Sequence, residues 1–99
     1  MIWARRSAFP HDGYHAVQLR FQALFLRLSG PKGMIFAVHE RGARADVYLS
    51  VPDMGYLAAF PGFQVIDEND IPAFSIAAAC GHAEDVERFH QRSATVANG

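Results

Sequence analysis

Apolar positions recur along this chain with two spacings, every second residue and every third or fourth, and the switches between them mark the elements. Ile2 to Phe9 reads as a strand, with Trp3 and Phe9 on one parity and Arg5 between them, and Pro10 ends it. Asp12 stands at the N-cap position ahead of an apolar-rich helical stretch from Tyr14 to Leu28. At 100° per residue, Tyr14, Val17, Phe21, Leu24, Phe25 and Leu28 form one broad apolar face. Ala16, Leu19, Ala23 and Leu26 make a second stripe opposite it. Arg20 and Arg27 bound that stripe on one flank, and His15, Gln18 and Gln22 on the other. Ser29, Gly30 and Pro31 stop the helix in the usual order, glycine past the end and proline beyond.

Met34 to Glu40 and Ala45 to Val51 are two strand-like runs joined by a short glycine-containing loop from Arg41 to Arg44, which predicts a hairpin. In the second run Ala45, Val47, Leu49 and Val51 take one parity, and Asp46, Tyr48 and Ser50 the other. Pro52 and Asp53 open a short helix through Phe60, and Pro61 and Gly62 close it. Phe63 to Asp67 reads as a brief strand before an acidic turn, E-N-D-I-P. Ala73 to Cys80, apolar but for Ser75, fits a strand buried on both faces better than a short helix. His82 to Arg92 is a final helix, acidic first and basic last, with Glu84 and Arg88 at favourable i, i+4 spacing. Residues 93–99 read as a flexible tail behind a single domain of residues 1–92.

This order, β-α-β-β-α-(β)-β-α, predicts an α+β domain. Its first six elements resemble the ferredoxin-like, split-βαβ plan, an antiparallel sheet with helices on one face, here followed by an extra C-terminal helix. The resemblance is carried by element order alone and implies no activity, because that fold hosts many.

Composition narrows the classes. Apolar residues make up 51% of the 99 and charged residues 19%, which excludes a mainly disordered chain. Cys80 is the single cysteine, so no disulfide forms within the chain and a reducing cytoplasm is expected. The start, M-I-W-A-R-R-S, has no long apolar core, so no secretory signal is expected. Arg20 and Arg27 interrupt the most apolar helix, which argues against a membrane span. Charge is lopsided. Residues 1–50 hold seven bases against three acids, and residues 51–99 two bases, Arg88 and Arg92, against seven acids.

Candidate chemistry is sparse. H-D-G-Y-H at 11–15 has the outline of a zinc-peptidase pair, but Pro10, Asp12 and Gly13 belong at a helix entrance. That places His11 before the helix and His15 in its first turn, so no metal is expected there. His82 and His90 are eight apart on one helix, about 12 Å along its axis, too far to share a metal. Cys80-Gly81-His82 reads as a strand end, a turn and a helix start rather than a thiolate–imidazole pair. RNA-recognition motifs share the element order, yet their aromatic pattern is missing from A-D-V-Y-L-S-V at 45–51, so no nucleic acid is expected. No catalytic set and no cofactor motif emerges.

The expectation is therefore a small cytoplasmic domain that acts by association with itself or another protein, without catalysis of its own; Ala16, Leu19, Ala23 and Leu26 form the interface of a homodimer unless a neighbouring helix of the same chain covers them. The alternative is an enzyme or small-molecule binder built like the dimeric α+β barrels, its sheet-face pocket lined by Trp3, Phe36, His39 and Tyr48.

Overall fold

The computed structural model describes residues 1–10, 20, 23–28, 31–41, 43–72 and 79–98. Five strands build one sheet: β1 (Ile2–Pro10), β2 (Ile35–Arg41), β3 (Arg44–Val51), β4 (Gln64–Ile66) and β5 (Ala79–Gly81). Their order across the sheet is β4-β1-β3-β2-β5, and every neighbouring pair is antiparallel. Helix α1 is described over residues 23–28, α2 spans Met54–Leu57 and α3 spans Ala83–Asn98. A single 3-10 turn, Glu68–Asp70, lies between β4 and β5.

Register explains which residues meet. Trp3 pairs with Ser50 and Ile66, Arg5 with Tyr48 and Gln64. Phe36 pairs with Leu49 and Cys80, and Ala37 with Tyr48 and Ala79. The β1–β3 register shifts between Arg6 and Phe9, so the alternation that runs through Trp3 and Arg5 does not continue unbroken to Phe9.

Two cores form, one on each face of the sheet. The first joins Ala4, Phe36, Val38, Ala45, Val47, Leu49 and Val51 to Phe25 of α1 and to Leu57 and Phe60 around α2. The second joins Trp3, Ile35 and Ala37 to Ile71 and to Phe89 of α3. Thus α1 and α2 share a face, while α3 covers the opposite one. β3 is buried from Ala45 to Val51 on both parities, so Asp46, Tyr48 and Ser50 lie inside rather than in water.

Local chemistry sets the boundaries. Asp53 caps α2, its Oδ1 accepting from the Gly55 and Tyr56 amides at 2.8 and 3.4 Å. Asp67 caps the 3-10 turn in the same way. α3 continues to Asn98, six residues past the end that the sequence pattern suggests. Ser93, expected in a flexible tail, is instead buried, and its hydroxyl donates to the Phe89 carbonyl at 2.6 Å. No helix breaker intervenes before Gly99, so the backbone has no reason to stop at Arg92. β5 is an edge strand with half-buried Ala79 and Cys80, each packing on a different core; residues 73–78 of the expected strand lie outside the described residues.

Candidate functional site

The second apolar stripe of the first helix is the leading association candidate. Phe25 is fully buried and tilts against Phe36, with ring centroids 6.0 Å apart. Leu24 and Leu28 pack beside it. Those contacts fix the rotation of α1, and Ala23 and Leu26 consequently point outward. Leu26 is 58% exposed, one of four exposed large apolar residues among the described residues. Arg20 and Arg27 are exposed as well. Ala16 and Leu19 of the same stripe lie outside the described residues, as do His11 and His15.

The four residues considered for a sheet-face pocket do not share a face. Phe36 belongs to the core under α1, whereas Trp3, His39 and Tyr48 sit at strand positions facing α3. Trp3 stacks on Phe89 at 5.4 Å with an interplanar angle of 27°. Tyr48 is 3% exposed, so the centre of this face is packed rather than hollow.

At one end of that face the structure assembles a polar cluster that the hydrophobic pattern did not reveal. Asp85 on α3 is 1% exposed. Its Oδ2 accepts from the Gly33 amide at 2.7 Å, and its Oδ1 accepts from the Arg88 guanidinium. The Gly33 carbonyl in turn accepts from the Ser50 hydroxyl at 2.9 Å. The turn before β2 is thereby tied to both α3 and β3. Glu84, expected to pair with Arg88, instead pairs with Lys32 of that turn at 2.8 Å. Their hydrogen bond holds the Glu84 carboxyl below its ordinary value and the Lys32 ammonium above its own. Arg88 turns to Asp85 because a buried carboxylate is the less solvated and more demanding acceptor. One turn on, Arg92 meets Glu68 of the 3-10 turn at 2.6 Å. A cavity of about 190 Å³ opens between these groups, lined by Met1, Trp3, Ile35, Glu68, Asp85, Arg88, Phe89 and Arg92. The sequence signal for it was faint: Arg88 and Arg92, the only bases of the acidic half, are spaced i, i+4.

Cys80 is half-buried in β5. Loss of solvent pushes its thiol up, and a backbone hydrogen bond with Phe36 opposes this more weakly. Such a thiol is the opposite of an activated nucleophile. Among the described residues no group of three or more His, Cys, Asp or Glu side chains could hold a metal ion, and no helix is long and apolar enough to cross a membrane. No family model, curated protein or solved structure matches this chain.

Proposed function

We propose that this chain is a cytoplasmic association domain that forms a homodimer through α1 and carries out no catalysis of its own. The observation that carries this reading is Leu26, a leucine 58% exposed on a helix whose other side packs Phe25, with Leu24 and Leu28 beside it, on the core. A two-fold contact would set this stripe against its own copy, and Ala23 is small enough for close helix approach. Burying Leu26 is worth roughly 1.5–3 kcal/mol per copy. Helix-on-helix contacts are small interfaces, so dissociation in the micromolar range is expected. The finer fold reading, a ferredoxin-like domain, draws support from the antiparallel order β4-β1-β3-β2, with β5 added at the β2 edge. Association is preferred over a pocket built from Trp3, Phe36, His39 and Tyr48 because Phe36 lies on the opposite face of the sheet from Trp3 and Tyr48 is buried. Light scattering of the parent and of an α1 variant tests the proposal. The parent should be a dimer at high micromolar concentration, and Leu26→Lys, which adds charge beside Arg27, should be a folded monomer by circular dichroism. A monomeric parent would remove the proposal.

A further inference from the structure

We infer that the cavity between α3 and the 3-10 turn binds a small aromatic monocarboxylate, its ring beside Trp3 and Met1 and its carboxylate on Arg92. This inference is independent of dimerisation, since none of the lining residues belongs to α1. The cavity's size comes first. An apolar cavity of about 150 Å³ accommodates one benzene ring, and this one measures about 190 Å³, enough for a ring with its polar arm at the mouth. Its apolar lining is Trp3 and Ile35 from the sheet, Phe89 stacked on Trp3, and exposed Met1. Its rim carries two guanidinium groups one helical turn apart, Arg88 and Arg92, each beside a carboxylate that also lines the cavity, Asp85 and Glu68.

The two arginines are not equivalent. Arg88 is committed to Asp85, whose buried carboxylate also holds the Gly33 amide. Arg92 is only half engaged. Its Nη2 meets Glu68 at 2.6 Å, while its Nε is buried with no hydrogen-bond partner among the described residues. A carboxylate satisfies a guanidinium best through two parallel hydrogen bonds, and Nε with Nη2 is one edge that offers them. Glu68 fills half of that edge. Glu68 is also about half exposed on a single 3-10 turn, where ion pairs hold weakly, so a ligand carboxylate can displace it. An unfilled charged donor beside an apolar floor is the recognition chemistry of a monocarboxylate with a flat body.

The chain has one tryptophan, so Trp3 fluorescence reports directly on the cavity. Phenylacetate titrated into the full chain should change that emission saturably, with a dissociation constant on the order of 1 mM, as expected for a ligand of this size. Phenylacetamide, which has the same ring without the charge, should bind at least about tenfold more weakly. Arg92→Gln, folded by circular dichroism, should lose about tenfold, and Arg92→Lys should not restore binding because it lacks the two-pronged edge. Glu68→Gln should bind phenylacetate severalfold more tightly, a gain that damage to the fold cannot mimic. No saturable change, equal response to the amide, unaltered binding in Arg92→Gln or weaker binding in Glu68→Gln would each overturn the assignment.

Discussion

Gly81 shows how much one residue can decide. It ends β5 at φ +152°, and a Cβ there would lie 2.5 Å from the Met34 carbonyl oxygen of the adjoining strand segment. Backbone cannot yield as a flexible side chain can, so Gly81→Ala forces β5 away from β2. The expected loss is about 2 kcal/mol or more, read as a lowered urea midpoint. Its neighbour Cys80 carries a pH signature of its own. Burial raises its folded pKa, so the folded state disfavours the thiolate. The associated stability is fully present below the unfolded thiol's pKa and is lost as pH rises through the folded value. A thiol reagent should therefore label native Cys80 slowly, with a rate that rises only above the ordinary thiol range. Labelling at neutral pH as fast as in denaturant would contradict this.

Elements were legible where one period ruled. The first helix betrayed its core face through Leu24, Phe25 and Leu28, and the structure places those three inward. The alternation of β3 was legible too, but not what its second face meets. Asp46, Tyr48 and Ser50 look like a solvent face, yet all three are buried. On that side of the sheet α3 packs through Phe89, and its line of nearly inaccessible residues is Asp85, Phe89 and Ser93 at spacing four. Only one of those is apolar, so hydrophobic periodicity could not announce that the helix faces inward there. Each polar member is satisfied locally, Asp85 by Gly33 and Arg88, Ser93 by the Phe89 carbonyl. The cluster around the cavity stayed hidden for the same reason, because a salt link between Arg92 and Glu68 leaves no periodic trace. The extent of α3 is testable at this scale. Ending the chain after Arg92 removes buried Ser93 and should cost about 1–2 kcal/mol, seen as a lower melting temperature. An unstructured tail could be removed without effect.

At the scale of the molecule, two thin cores share one sheet of a 99-residue chain, and a domain this small has little stability to spare. Partner burial would then raise stability by mass action, so a homodimer should melt at a temperature that climbs with protein concentration. Leu26→Lys should flatten that dependence while keeping the far-ultraviolet spectrum. Charge adds a sharper test. Exposed Arg20 and Arg27 flank the stripe, and no acid accompanies them among the described residues of α1. Two copies of α1 brought together place like charges within a screening length of one another. Raising salt from about 0.02 to 0.5 M shortens that length from about 20 Å to about 4 Å and should tighten the dimer severalfold. An acidic partner at the same stripe would behave oppositely, since salt weakens opposite-charge attraction. Sedimentation across a salt series therefore reads the sign directly. Dimers that dissociate as salt rises would mean that the arginines are paired across the interface, and that the contact is not the apolar stripe of α1 against itself.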